Sequence, residues 1–165
     1  MKNKAFIESK IFSWEQLEKQ LAIWRFKGQK IVFTNGCFDI LHLGHITYLA
    51  QAKDLGHILI IGLNSDESVR KLKGPHRPLN IQHARAMTLA SLFFVDAVTV
   101  FEDETPYKLI QMIQPDILVK GKDYKEEEIS GFDIVNAKGG KIVTLDLVKD
   151  YSTSHIVEKL YNSFK

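Results

Sequence analysis

Apolar positions along the chain follow two rhythms that alternate. In "SWEQLEKQLAIW" they recur at Trp14, Leu17, Leu21 and Trp24, the spacing of one helix face, with Ser13 placed to cap it. Elsewhere they form short solid runs. "KIVFTNG", "HILIIGL", "DAVTVF", "DILVKG" and "KIVTLDL" are apolar on both faces and rich in β-branched residues, which reads as buried strands. Helical spacing returns between them. "HITYLAQAKDLG" is closed by Gly56, and "NIQHARAMTLASLFF" has Asn80 as its cap. "TPYKLIQMIQ" carries Pro106 in its first turn, "EEEISGFDIVNAKGG" is helical around an irregular Gly131, and "STSHIVEKLYNSF" is capped by Ser152 or Thr153. Doubly apolar strands separated by helices predict an α/β fold: a parallel sheet with helices on both faces and right-handed crossovers. The first helix precedes the first strand and is an addition to that pattern.

Composition narrows the picture. A length of 165 residues suits one domain with one real core. The apolar share is 45% and the charged share 25%, ordinary for a globular chain. A net charge of +2 is too small to make nucleic acid the expected partner. Cys37 is the one cysteine, so neither an internal disulfide nor a multi-cysteine metal site is available. The polar start "MKNKAFIESK" does not read as a signal peptide, and "ILIIGL" and "LASLFFV" are too short to span a bilayer. The expected setting is the cytoplasm, with no membrane partner. No internal repeat, low-complexity tract or linker is visible.

Open parallel sheets bind ligands beyond the carboxyl ends of their strands. Unusual polar residues collect at those ends: "TNGCFDILHLGH" after the first strand, "NSDES" after the second, "KGKDY" after "DILV", and "VKDYSTS" after the last. Turns at the opposite edge, "KDLGH" and "AKGGK", are plain. His42 and His45 would share one face of the first turn of a helix starting near Leu43. That turn also offers free N–H groups and partial positive charge, which suit an anion. Gly36 and Gly44 would let a ligand approach the backbone. Two imidazoles there could donate to phosphoryl oxygens as negative charge builds.

Rival readings of these residues differ in weight. A zinc site of the protease type wants histidines four apart with a glutamate, and the Walker and dinucleotide glycine patterns are absent. Asp39 with the two histidines would make only a candidate metal site. Cys37 lacks a local histidine–acid arrangement and reads as a small residue in a tight turn. "RKLKGPHR" holds Arg70, Lys71, Lys73 and Arg77. It is either a solvated loop or a lid over a polyphosphate, with Lys73 the best candidate for a phosphate contact. Ser152, Thr153 and Ser154 can cap a helix and donate to phosphate at once. Asp123 either binds a ribose hydroxyl or caps a turn. Trp14 and Trp24 read as packing residues.

His42-Leu43-Gly44-His45 resembles the HxGH signature of the nucleotidyltransferase superfamily, which includes cytidylyltransferases and the HIGH-type aminoacyl-tRNA synthetases. With "FTNGCFDILH", "NSDES", "KLKGPHRP", "PDILVKGKDY" and "YSTSHI" in order, residues 30–160 closely resemble the adenylyltransferase domain of the bacterial ADP-heptose synthases. The resemblance implies a Rossmann-like nucleotidyltransferase domain over residues 29–165, with residues 1–28 a helical extension packed on it. It implies AMP transfer from ATP to D-glycero-β-D-manno-heptose 1-phosphate, giving ADP-heptose and pyrophosphate, with Mg²⁺ held mainly by the ATP phosphates and no metal ligand assigned to the protein. The product would feed lipopolysaccharide or surface-layer glycan assembly.

By the same resemblance, His42, His45 and Lys73 are catalytic. The nucleotide would be bound by Thr34, Asn35, Gly36, Cys37, Phe38 and Gly44, by Lys120, Gly121 and Asp123, and by Tyr151, Ser152 and Thr153. Asp39, Asn64, Asp66, Arg77 and Arg85 would bind the acceptor substrate, with Asp39 and Asp66 on its substrate or metal side. His83 replaces the acid common two residues before the family's helix arginine, here Arg85, and Ser154 stands where Thr is common. The family tendency is a homodimer. The alternatives are a cytidylyltransferase acting on glycerol 3-phosphate or a related alcohol phosphate, and a non-catalytic nucleotide-binding protein.

Overall fold

The computed structural model describes residues 2–122, 129–146, 148 and 151–164. Strands β1 (Ile31–Gly36), β2 (Ile58–Asn64), β3 (Ala97–Phe101), β4 (Ile117–Gly121) and β5 (Lys141–Leu145) form one sheet in the order β3-β2-β1-β4-β5. Every pairing is parallel. Helices α1 (Lys2–Glu8), α2 (Trp14–Phe26), α3 (Leu43–Asp54), α4 (Asp66–Lys73), α5 (Gln82–Ala90), α6 (Tyr107–Ile113), α7 (Phe132–Ala137) and α8 (Thr153–Ser163) complete the described elements.

Strand periodicity divides the core. Val32 of β1 and Leu59, Ile61 and Leu63 of β2 face a layer containing Leu49 of α3 and Leu89 of α5. The alternate residues Ile31, Phe33, Ile58 and Ile60 face a second layer with Leu17 and Leu21 of α2, Ile110 and Ile113 of α6, and Val135 of α7. Both faces are thus covered, as the solid apolar runs require. Strand order runs outward in opposite directions from β1, to β2 on one side and β4 on the other. A crevice for ligands is expected at that switch point, beyond the carboxyl ends.

Helix α2 begins with a capping box, Ser13 accepting from Gln16 N and the Gln16 side chain accepting from Ser13 N. Trp14 donates to the Val100 carbonyl at 2.8 Å and Trp24 meets Phe12 edge-on, so both tryptophans pack on the chain's own sheet. Just before α2, Phe12 N donates to Val98 O and Val98 N to Lys10 O, which covers part of the outer edge of β3.

Four sequence expectations change. Helix α1 was not anticipated, because "KNKAFIE" has no apolar stripe and buries no residue. Much of the "RKLKGPHR" run is the last turn of α4 rather than a loop. Asp66 and Glu67 at its start and Arg70, Lys71 and Lys73 at its end complement the helix dipole, and Gly74 stops it at φ +98°. Asn80 does not cap α5: its side chain donates to the Asp39 carbonyl at 2.9 Å and Ile81 takes the cap position. Gly56 is no left-handed cap. A Cβ there would lie 2.6 Å from Val32 Cγ2 and 2.9 Å from Lys30 O, so close passage against β1 is what calls for glycine. The acidic start of the "EEEISGFDIVNAKGG" segment lies outside the described residues, and α7 forms its second half. Among the described residues, no helix is long and apolar enough to cross a membrane.

Candidate functional site

The loop after β1 turns sharply into α3. Phe38 adopts φ +44°, uncommon for a bulky residue, and is buried. Its ring would lie 3.0 Å from a Cβ at position 36, so Gly36 admits the fold-back. Thr34 Oγ1 and Tyr48 hydroxyl share a 2.7 Å hydrogen bond that ties the end of β1 to α3.

His42 is the N-cap of α3, and its Nδ1 accepts a long 3.4 Å hydrogen bond from His45 N. In the neutral ring that leaves the proton on Nε2 as a donor. The two imidazoles stack at 3.8 Å between centroids and 22° between planes, and Phe38 meets His45 edge-on at 5.1 Å. Burial, helped by the neighbouring His42 and opposed by the Ile40 backbone, pushes the His45 pKa down to about 4. That Ile40 contact is weak, because His45 Nδ1 is buried without a well-formed partner. Burial also lowers the His42 pKa. Both rings are therefore neutral donors at pH 7, stacked in a way that two imidazolium ions would resist.

A second helix end arrives from the far end of the chain. The Tyr151 carbonyl lies 3.2 Å from where a Cβ on Gly44 would stand, so glycine is what lets Tyr151, just ahead of α8, come against α3. Ser152 caps α8 by accepting from His155 N at 3.1 Å. Two helix N-termini with their unsatisfied N–H groups thus converge beside the stacked histidines. At the switch point, Lys120 Nζ donates to Asn35 Oδ1 at 2.5 Å, joining the ends of β4 and β1. Lys73 is exposed at the end of α4. Its ammonium is near enough to Cys37 to lower the thiol pKa, although burial is the larger influence and raises it. That direction fits Cys37 as a thiol in a turn and not as a nucleophile.

Several expected ligand residues have other duties. Thr34 is wholly buried, so its side chain is behind the site rather than in it. Asn64 is buried and donates to Ser68 Oγ at 2.9 Å. Asp39 accepts from Arg77 at 2.8 Å, Leu79 N at 2.7 Å and Asn80 N at 3.0 Å. Burial works to raise its pKa, but the Asn80 and Leu79 N–H groups and the Arg77 guanidinium outweigh it and hold the carboxyl below its usual range. Arg77 is engaged by that carboxylate. Arg85 has no exposed side-chain surface and pairs with Asp66 at 2.8 Å, Asp66 itself staying partly exposed, while His83 is exposed. Gly121 closes β4, and Asp123 lies outside the described residues. Among the described residues, no three His, Cys, Asp or Glu side chains come together to hold a metal. Sequence reasoning missed Tyr48, Ile40 and the Tyr151 carbonyl. Tyr48 sits in an apolar helical pattern that hides its polar tip, and backbone groups leave no trace in residue types.

Residues 33–159 match the cytidylyltransferase-like family model. A curated relative from Magnetococcus marinus, named bifunctional protein HldE, is 49% identical over 151 residues, which is 92% of this chain and 31% of the relative. A protein of the same name from Campylobacter jejuni subsp. doylei is 51% identical over 158 residues, 96% of this chain and 33% of the relative. The chain therefore spans about one third of the length of those curated relatives. Among solved structures, the lipopolysaccharide core biosynthesis protein from Thermoplasma volcanium is 30% identical with a TM-score of 0.61, covering 76% of this chain and all of that one. Pantoate-beta-alanine ligase from Francisella tularensis, at 18% identity, TM-score 0.58 and coverage of 92% of this chain and 77% of the ligase, shares the fold. The α/β sheet, the histidine pair at its switch point and the match over most of the chain agree, and the chain belongs to the cytidylyltransferase-like family.

Proposed function

We propose that this chain transfers AMP from ATP to the phosphate of a heptose 1-phosphate, D-glycero-β-D-manno-heptose 1-phosphate, releasing pyrophosphate. The observation that carries the reading is the stacked, neutral His42–His45 pair where the N-termini of α3 and α8 meet. The extensive likeness to proteins named HldE supports the choice of acceptor.

An ionised sugar phosphate needs no strong general base. Its oxygen attacks the α-phosphorus in line, and pyrophosphate departs on the opposite side. The protein aligns the reactants and meets the charge that builds on the α-phosphoryl oxygens. His42 Nε2–H and the His45 ring supply donors there, and the N-termini of α3 and α8 add N–H groups and positive potential. Lys73 takes the leaving pyrophosphate, and Asn35, Gly36, Phe38, Lys120 and Gly121 frame the nucleoside. Asp39 and Asp66 are committed to arginines and backbone, which fits a Mg²⁺ ion carried by the triphosphate and water. That ion would neutralise the phosphates during transfer. In this reading residues 29–165 form the transfer domain, residues 1–28 are its helical extension, and the enzyme works as a homodimer in the cytoplasm.

The family description favours one second reading, transfer of CMP from CTP to an alcohol phosphate. Pyrophosphate release measured with ATP or CTP, crossed with heptose 1-phosphates and glycerol 3-phosphate, separates the two. Turnover confined to ATP with the heptose supports the first. Turnover confined to CTP with glycerol 3-phosphate replaces it, and nucleotide binding without any pyrophosphate would reduce the chain to a binding protein.

A further inference from the structure

Arg85 is a full positive charge with no exposed side-chain surface. Its Nε donates to Asn80 O at 2.9 Å, its Nη1 to Cys37 O at 2.6 Å and Asn64 O at 2.9 Å, and its Nη2 to Asp66 at 2.8 Å. Each acceptor belongs to a different stretch of backbone at the ligand-binding edge: the loop after β1, the end of β2, the first residue of α4, and the approach to α5. Burying such a group is costly, and apolar replacements of buried ion pairs are often neutral or stabilising. Stability is a weak reason for its presence.

We infer that Arg85 is a positioning residue for nucleotidyl transfer: its guanidinium fixes α4 against the loop that carries the histidines, and so sets where Lys73 stands relative to the His42–His45 pair. The inference rests on the transfer reading above. Helix α4 is the lever. Asp66 at its first position is held by Arg85, and Lys73 is at its last, about 10 Å away along the axis. Cys37, whose carbonyl Arg85 holds, feels the Lys73 charge, so the two ends of this arrangement meet on one loop. Asp39 acts beside it: by binding Arg77, Leu79 N and Asn80 N it anchors the segment that leads from α4 back to α5. A guanidinium can hold several carbonyls in fixed directions at once, and an ammonium cannot.

The test is a double-mutant cycle with Arg85→Lys and Lys73→Ala, read as kcat and KM for pyrophosphate release, together with the His45 ring titration followed by NMR. Arg85→Lys should lower kcat at least ~30-fold and change the KM for ATP less than ~3-fold. In that background Lys73→Ala should cost less than ~3-fold more, because its ammonium is already misplaced. The His45 midpoint should rise from about 4 towards 6.5 as the loop loosens. Asp66→Asn keeps the three carbonyl bonds and should give the same pattern in milder form, which covers the case of an unfolded lysine variant. Equal costs of Lys73→Ala in both backgrounds, or an unmoved His45 titration in the folded variants, would overturn the inference. Absence of pyrophosphate release from the unaltered protein would instead defeat the transfer reading, and the titration alone would then decide the positioning role.

Discussion

At the scale of single residues, the histidine pair makes the sharpest demands. Removing an oxyanion donor typically costs about 10²–10³ in kcat, so His45→Ala should lose roughly that much in steady-state pyrophosphate release. Lys73→Ala should lower kcat/KM for ATP. The depressed His45 pKa has its own consequence. The folded value of about 4 lies below the ordinary 6.5, so the unfolded chain takes up the proton first as pH falls. The contribution of neutral His45 is complete above pH 6.5 and is lost towards pH 4, on the order of 3 kcal/mol across that window. Urea midpoints measured over this range should fall with acidity in the native protein and fall less in His45→Asn. A bound triphosphate favours the protonated ring, so calorimetry of ATP binding near pH 5.5 in buffers of different ionisation enthalpy should show net proton uptake.

Residue types announced the histidines, the glycines beside them and the serine cap, since each has few other reasons to sit there. They did not announce which polar side chains face inward. Thr34 and Asn64 lie in β1 and β2, Asp66 opens α4 and Arg85 lies within α5, all near the expected ligand-binding edge, and only their partners in space reveal a structural duty.

At the scale of elements, local chemistry set most of the boundaries. The Ser13–Gln16 box starts α2, and Ser13→Ala should destabilise the protein by about 1 kcal/mol in thermal or denaturant unfolding. Gly56→Ala tests a different force. The Lys30 carbonyl is backbone and cannot swing away from an added methyl, so a loss of roughly 1–3 kcal/mol is expected in the same assay. The misread element was α4. Eight residues, strongly charged and stopped by Gly74-Pro75, resemble a loop in composition, and the sign of a helix was electrical: acids first, bases last. Helix α1 escaped notice for a related reason, since it fully buries no residue, with only Ile7 packing on the core, and so carries no apolar period.

For the molecule as a whole, alternation of buried strands with helices was enough to give a parallel sheet covered on both faces. Strand order was not legible, because all five runs are similarly apolar and nothing local says which neighbours which. Order nonetheless matters: it sets β1 between β2 and β4, the switch point at which a ligand crevice is expected. The edge of β3 is partly capped by residues 10–12. Deleting residues 1–12 should therefore lower the temperature at which light scattering reports aggregation.

The contact of the Tyr151 carbonyl with Gly44 spans most of the polypeptide. A ribosome that has produced all five strands has made a foldable sheet but only half of the proposed anion cradle. With Ser152 and the helix it caps binding phosphate as proposed, the nascent protein would bury its core before they emerge from the exit tunnel, and catalytic competence would arrive later in synthesis than a folded interior.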